Sequence, residues 1–142
     1  GTPMRIIAVD YGDAHTGVAV SDPTGLLAGV TLTIHSRREE EVLERLCQLA
    51  REYQAEQFVV GLPRNMDGTE GPRAQLCRAF AARLEEASGL PAALWDERRT
   101  TVDAHRILHE SGKNGKKRKK TVDAVAAALI LEGYLNFRRA GG

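Results

Sequence analysis

Short apolar segments with strand-like character dominate the first quarter of the chain. Three of them, Arg5–Tyr11, His15–Ser21 and Ala28–Ile34, are separated by turns that contain Gly, Asp and Pro. Apolar and β-branched segments bounded by such turns are typical of β-strands. The pattern therefore predicts an antiparallel meander of three strands.

The rest of the chain alternates between helical and strand-like patterns. A cap-like sequence at residues 36–39 opens a helix that ends near Tyr53, with apolar residues at a spacing of 3.6. Pro72 suits the first turn of a second helix, which runs to about Ser88 and closes at Gly89. The remaining predicted elements are strands at Gln57–Gly61 and Ala92–Asp96, a helix from Thr100 or Thr101 to about Glu110, and a helix at Thr121–Arg138.

The order βββαβαβαα predicts an α/β fold. Three antiparallel strands followed by parallel βα units indicate a mixed five-stranded sheet with helices on both faces. The first strand should lie centrally, because the crossover connections must return beside it. Ligands bind at the carboxyl ends of the strands in such sheets, so residues that follow strands are the first candidates for chemistry.

Length and composition fit an ordinary globular domain. The chain has 142 residues, of which 42% are hydrophobic and 27% charged, which predicts a single domain over residues 4–138. Residues 1–3 precede Met4 and resemble a cloning scar. No apolar stretch is long enough to span a bilayer. Cys47 and Cys77 lack the spacing of metal ligands, which favours free thiols in the reducing cytoplasm.

The net charge of +1 conceals a concentrated basic segment. Six of the 20 basic residues fall between Lys113 and Lys120, which leaves 14 basic against 19 acidic residues elsewhere. We call these residues the basic segment and predict a poorly ordered loop that binds phosphates. A plain solvated loop is the alternative. The predicted phosphate ligands are Lys113, Lys116, Lys117, Arg118, Lys119 and Lys120, with Arg64, Arg98 and Arg99 from other loops. For Arg98 and Arg99, ordinary pairing at the surface is an equal alternative.

Three acidic residues stand out by their positions. Asp10 ends the apolar run of the first predicted strand, Glu97 follows the fifth strand, and Asp123 lies in the first turn of the last predicted helix. A carboxylate that ends a core strand is costly to bury without a cation, a donor or water. Gly12 lets a ligand or another backbone segment approach. Taken alone, Asp123 is better explained by stabilisation of the helix dipole or by simple solvation near the helix N-terminus.

The three carboxylates together form a set that suits a divalent cation. Mg²⁺ and Mn²⁺ prefer oxygen ligands, and a pair of them can clamp a phosphodiester, so that one activates water and the other stabilises the leaving oxygen. Three clustered carboxylates would repel one another without that positive charge, and their pKa values should rise. Asp96 precedes Glu97, and strand alternation predicts that only one of these two residues reaches the site.

Five short motifs of the chain together resemble those of a known family. The sequences VDYG at 9–12, GLP at 61–63, Asp67-Gly68 with Glu70, DER at 96–98 and VDAVAA at 122–127 are similar to the YqgF (RuvX) family of the ribonuclease H-like superfamily. The resemblance implies an RNase H-like fold and metal-dependent phosphodiester hydrolysis, with Asp10, Glu97 and Asp123 at the positions of the family's acidic residues. It also implies a role in ribosome biogenesis, maturing the 5′ end of pre-16S rRNA, with ribosomal precursor particles as partners.

Other functions stay open at this level. A Holliday-junction resolvase acting on branched DNA would use the same carboxylates, whereas an actin-like nucleotide-binding domain also begins with a strand ending in Asp-x-Gly. A non-catalytic nucleic-acid adaptor would keep the carboxylates for structural reasons alone, whereas the favoured nuclease would act on structured RNA or branched DNA. His105 and His109 share a helical face but have no evident third metal ligand, which favours a solvated face.

Overall fold

The computed structural model describes residues 5–24, 27–97 and 115–140, and for residues 115–123 the backbone alone. The predicted helix that ends near Glu110 lies outside the described residues. The elements are β1 (Ile6–Asp10), β2 (His15–Ser21), β3 (Ala28–His35), α1 (Glu39–Tyr53), β4 (Gln57–Leu62), α2 (Pro72–Ser88), β5 (Ala92–Asp96) and α3 (Gly115–Arg139).

The five strands form one mixed sheet in the order β3-β2-β1-β4-β5. The β1–β2 and β2–β3 pairs are antiparallel, whereas the β1–β4 and β4–β5 pairs are parallel. The predicted α/β class, the mixed sheet and the central position of β1 are confirmed. Parallel pairing brings the last residues of β1, β4 and β5 to one end of the sheet. We call this the carboxyl end and define it by Asp10, Leu62 and Asp96.

The sheet is covered on both faces, which explains why β1 is apolar at every position except its last. Ile7 and Val9 of β1 pack with the buried residues of α1 and α2 on one face. Ile6 and Ala8 pack with those of α3 on the other. A strand that alternates between two covered faces reads as a continuous apolar run.

The ends of α1 and α2 follow partly from local sequence signals. Gly89 closes α2 with a left-handed backbone, φ 73°, as its position predicts. The sequence places Ser36 within the cap of α1, but the N-cap residue is Arg38 and has no side-chain cap bond. Ser36 instead holds the preceding turn, because its Oγ accepts from the Arg38 amide at 3.1 Å. Acidic residues 39–41 complement the helix dipole there.

The last helix begins earlier than its sequence pattern predicts. The predicted start is Thr121, but α3 begins at Gly115, so residues 115–120 of the basic segment are helical and the prediction of a loop is wrong for them. Lys and Arg have a high intrinsic helix propensity, which favours the extension although their like charges oppose it. Lys113 lies outside the described residues. No helix in the described part of the chain is long and apolar enough to cross a membrane.

Candidate active site

Asp10 is placed at the carboxyl end of the sheet by the strand that carries it. It is the last residue of β1 and pairs in register with Gly17 of β2. The four residues before it are buried, whereas Asp10 itself is half-buried. The carboxylate therefore stands where the apolar strand meets the surface, with a rigid central strand behind it.

Gly12 shapes the turn that follows Asp10. A Cβ at this position would collide with the main-chain carbonyl of His15. The Gly12 amide donates to Thr16 Oγ1 at 3.4 Å. The sequence leaves open whether a ligand or another backbone segment approaches Gly12. The structure shows a backbone segment there, at His15.

Glu97 directly follows β5 and turns inward over β4. A Cβ built on Gly61 of β4 would lie 3.1 Å from the Glu97 carboxyl carbon, and 2.6 Å from Ile130 Cδ1 of α3. The missing side chain at Gly61 is therefore the space in which the Glu97 carboxyl group sits. Ile130 closes that space from the side of the helix.

Burial in this space raises the pKa of Glu97 to about 7. The negative charge of Asp10 acts in the same direction, and Asp96 adds a smaller contribution, whereas the Arg73 cation lowers the value. The raised pKa that the sequence predicts for the acidic cluster is confirmed at Glu97, but burial is a larger cause than mutual repulsion. The effect of the Asp10 charge on the pKa of Glu97 places the two carboxylates near each other.

Arg73 supplies the positive charge beside this acidic pair. It is the second residue of α2, and its Nη2 donates to the main-chain oxygen of Tyr11. Its Nη1 donates to Asp13 Oδ1 at 3.0 Å, and its Cζ lies 5.7 Å from the centre of the Tyr11 ring. Arg73 thus ties the start of α2 to the turn after Asp10. Tyr11 in turn stacks on Phe80 at 4.0 Å between ring centres.

Cys77 lies one turn farther along α2, within electrostatic reach of the same pair. Burial raises the pKa of its thiol to about 11. Arg73 lowers that pKa, and the charges of Glu97 and Asp10 raise it. A thiol with this pKa stays protonated near neutral pH, so Cys77 packs as a small apolar residue and is no nucleophile.

Asp96 and Arg64 form a separate charged group beside the site. Arg64 Nη1 lies 3.9 Å from Asp96 Oδ2, and its Nη2 lies 3.3 Å from Glu70 Oε2. Glu70 also accepts two bonds of 2.6 Å from Arg78. The predicted phosphate ligand Arg64 is thus held between two carboxylates, and the β4–α2 loop is braced against α2.

Several predicted site residues have no described side chain. The backbone of Asp123 and of residues 116–120 belongs to α3, and the structure describes no more of them. Arg98, Arg99, His105 and His109 lie outside the described residues. Among the side chains that are described, no three His, Cys, Asp or Glu residues converge closely enough to hold a metal ion.

Sequence reasoning assigned no role at the site to Gly61 or Arg73, whereas the free thiol that it predicts at Cys77 is confirmed. A signal for Gly61 is present, because a glycine between the buried residues Val60 and Leu62 marks a close approach in a strand. Arg73 has no such signal, since one arginine in a helix with several others is unremarkable in sequence. Its contacts depend on how α2 docks beside β1.

Comparison with solved structures defines the class of fold. The chain superposes on Thermus thermophilus RuvC, solved in complex with a Holliday junction substrate, with a TM-score of 0.72, 14% identity and coverage of 97% of this chain and 96% of that one. The Fowlpox virus resolvase with Holliday junction DNA gives 0.61 at 12% identity, covering 95% and 99%. The fold is the RNase H-like fold of these resolvases.

The chain belongs to the RuvX family, whose model, described as Holliday junction resolvase, matches residues 4–137. A relative from Symbiobacterium thermophilum, named "Putative pre-16S rRNA nuclease", is 49% identical over 137 residues, which are 96% of this chain and 95% of the relative. A relative of the same name from Halothermothrix orenii is 45% identical over 135 residues, covering 95% and 96%. The resemblance drawn from the sequence motifs is confirmed.

Proposed function

We propose that this chain is a metal-dependent nuclease that hydrolyses phosphodiester bonds in the maturation of the 5′ end of pre-16S rRNA. The observation that carries the proposal is the pairing of Asp10 with Glu97 at the carboxyl end of an RNase H-like sheet. The membership of this chain in the RuvX family supports the proposed reaction, and the names of its relatives support the proposed substrate. Residues 4–138 would act as one nuclease domain.

The course of α3 supports Asp123 as the third carboxylate. Tyr134 Oη accepts from Gln57 Nε2 at 2.7 Å, where β4 begins, whereas Ile130 lies against Gly61, near the end of β4. The helix therefore runs antiparallel to β4, and its earlier residues lie toward the carboxyl end. Asp123 precedes Ile130 by seven residues, which is about two turns on the same face, or ~10 Å along the axis.

The helix-dipole explanation of Asp123 is weaker than the sequence suggests. Stabilisation of a helix dipole falls off within the first turn. Because α3 begins at Gly115, Asp123 lies more than two turns from its start. Interaction with the helix dipole therefore does not explain the presence of Asp123. This favours the hypothesis that Asp123 is a metal ligand.

The donors present fit a hard divalent cation. Asp10 and Glu97 offer carboxylate oxygens, and Glu97 resists ionisation because it is buried beside another carboxylate. A nearby cation would favour the ionised form of both groups. Oxygen donors of this kind favour Mg²⁺ or Mn²⁺, which would activate water and stabilise the leaving oxygen. Asp10, Glu97 and Asp123 would hold the metal.

The surrounding residues would prepare the site for this chemistry. Ile130 and the strand beneath shield Glu97 partly from water, which strengthens the charge interactions there. Arg73 offsets part of the negative charge, as its effect on the pKa of Glu97 indicates. Cys77 remains protonated and adds no further charge.

Binding of the nucleic acid would fall to the basic segment and to neighbouring arginines. Residues 115–120 extend α3 away from Asp123, so Lys116, Lys117, Arg118, Lys119 and Lys120 would meet the phosphates that flank the scissile one. Lys113, Arg98 and Arg99 would add to this surface, and Arg64 would join it only by exchanging a carboxylate partner. Ribosomal precursor particles would be the natural partners of such a surface.

A second candidate is a DNA endonuclease that resolves Holliday junctions, which the description of the family model favours. The same carboxylates would serve either substrate, because the chemistry of the phosphodiester is the same. The substrate therefore has to be decided by assay.

The assay compares a labelled RNA that spans the 5′ precursor boundary of 16S rRNA with a labelled four-way DNA junction. Each is incubated with the wild-type chain in Mg²⁺, in Mn²⁺ and in EDTA. We expect metal-dependent cleavage of the RNA near the boundary. Preferential cleavage of the junction would instead select the resolvase function. Cleavage of neither substrate, or cleavage that persists in EDTA, would contradict a metal-dependent nuclease.

A further inference from the structure

Arg73 has one fixed donor and one exchangeable donor. Its Nη2 is anchored on the main-chain oxygen of Tyr11, and the cation lies over the Tyr11 ring. Its Nη1 faces Asp13, whose side chain is 84% exposed. Arg73 itself is 37% exposed. The guanidinium is therefore held in place from the protein side and open to solvent on the other.

The pair with Asp13 is the kind of contact that a ligand can replace. Ion pairs between exposed groups contribute only about 0–1 kcal/mol, because water screens them and the side chains lose freedom. A phosphate diester offers the same acceptor chemistry as a carboxylate. Arginine presents parallel donors that match phosphate oxygens.

The position of Arg73 suits a phosphate next to the reacting one. The turn after Asp10 connects the two residues, since Tyr11 follows Asp10 directly and Arg73 holds Tyr11. The pKa of Glu97 responds to the Arg73 charge, which places the cation within electrostatic reach of the carboxylates. In the structure, the Nη1 donor of Arg73 is nevertheless occupied by Asp13, an exposed residue of the same turn.

We propose that Arg73 binds a backbone phosphate of the nucleic acid beside the carboxylate site, and that Asp13 occupies this donor until the phosphate displaces it. The inference rests on the proposed nuclease function and adds a phosphate-binding residue to it. Asp13 acts as an internal competitor, so the two residues influence affinity in opposite directions.

The test measures binding of a fluorescein-labelled RNA hairpin with a single-stranded 5′ extension, in EDTA, by fluorescence anisotropy at several salt concentrations. Arg73→Gln should weaken binding about 10-fold, as expected for the loss of a charged hydrogen bond. It should also reduce the salt slope by about 0.7 to 0.9, the contribution of one phosphate contact. Asp13→Asn should tighten binding about 2- to 5-fold, because it removes the competitor.

Two further variants separate this role from a structural one. Arg73→Lys keeps the charge but loses the parallel donors, so its salt slope should match the wild type while its affinity falls. Arg83→Gln removes an arginine of the same helix that pairs with Glu39 and is 58% exposed, and its binding should be unchanged. Thermal unfolding of each variant shows whether the fold is retained.

The outcomes distinguish a failure of the Arg73 proposal from a failure of the proposed nuclease function. If Arg73 only braces the turn, Arg73→Gln and Asp13→Asn should act in the same direction, and that result overturns the proposal. An unchanged salt slope for Arg73→Gln also overturns it, while the nuclease function stands if the wild type still cleaves. A wild-type chain that neither binds nor cleaves nucleic acid removes both.

Discussion

The surroundings of Glu97 disfavour the charge of its carboxyl group. Its carboxyl group fills the space above Gly61, beneath Ile130 and beside Asp10. A protonated group in such a place must lose its proton when a metal binds. The proposed chemistry therefore depends in part on the protonation state of Glu97, whose pKa is raised to about 7.

The pKa of Glu97 predicts a pH-dependent stability in the metal-free protein. The folded pKa is about 7, against 4.5 for an unperturbed carboxyl. The folded state holds this proton more tightly, so the free energy of unfolding should fall as pH rises from about 4.5 to 7 and then level off. Glu97→Gln should remove that fall and leave the variant more stable than wild type at pH 8, by about 1–2 kcal/mol after allowance for screening.

Urea denaturation in EDTA at pH 5 and pH 8 measures this effect. The wild type and the variant should differ little at pH 5. A difference that is the same at both pH values would show that Glu97 does not titrate between them. Saturating Mn²⁺ serves as the control, because metal binding should stabilise the wild type and leave the Gln variant nearly unaffected.

Gly61 is predicted to be indispensable for a steric reason. In Gly61→Ala the new methyl group would meet Ile130 Cδ1 at 2.6 Å and the Glu97 carboxyl carbon at 3.1 Å. We expect a loss of about 1–3 kcal/mol in the free energy of unfolding, together with a strong loss of cleavage. Gly71→Ala is the matched control, because a Cβ at that position would meet nothing within 4 Å and its cost should stay below about 1 kcal/mol.

A double variant separates the two contacts of Gly61. Ile130→Val removes Cδ1 and should recover part of the stability lost in Gly61→Ala. It should not restore cleavage, because the displaced Glu97 is unaffected by that change. Recovery of both stability and cleavage would show that the Glu97 contact is unimportant.

At the scale of the elements, the sheet follows closely from the sequence and the last helix does not. Strand bounds depend on local alternation between apolar runs and turns, so the predicted strands His15–Ser21 and Ala92–Asp96 have the ends that the structure gives them. The start of α3 depends on a run of like charges, which is typical of a solvated loop although its residues favour helix.

The site is predictable only where a residue is tied to the end of a strand. Asp10 is the last residue of β1 and Glu97 directly follows β5, and these two strands end at the same end of the sheet, so sequence order is enough to bring them to one place. The burial of Glu97 depends on Gly61 and Ile130, which meet only when α3 packs on the sheet. Arg73 depends on the docking of α2, and no local pattern encodes that contact.

The basic N-terminal part of α3 should supply affinity rather than chemistry. Replacing Lys116, Lys117, Arg118, Lys119 and Lys120 with Ser should weaken nucleic-acid binding at low salt and flatten the salt slope by a few units, at about 0.7 to 0.9 per lost phosphate contact. Cleavage at saturating substrate should change much less. Both quantities are measured on the RNA hairpin.

The other end of the same helix provides a control. Arg138 and Arg139 are exposed residues of the last turn of α3, and their replacement with Ser should leave the salt slope unchanged. If the five-fold variant also keeps the wild-type slope, the basic segment is a solvated part of the helix. The phosphate contacts would then come from Arg73, Arg98 and Arg99.

At the scale of the whole molecule, the sheet and its two covering layers hold the proposed site together. β1 provides Asp10 and β5 leads into Glu97. Asp123 belongs to α3, which packs on the face of the sheet opposite to α1 and α2. α2 closes the group with Arg73 and Cys77. Each element is fixed by its own core contacts, so single substitutions in the site should leave the fold intact.

The most direct test of the central claim is the rate of cleavage by Asp10→Asn, Glu97→Gln and Asp123→Asn beside the wild type, in Mg²⁺ and on the preferred substrate. Each variant removes one negative charge and keeps the size of the side chain. We expect each rate to fall by roughly 100-fold or more, a loss typical of a key electrostatic group, with thermal stability maintained or raised. Wild-type cleavage by any one folded variant would contradict the assignment of that residue to the metal site.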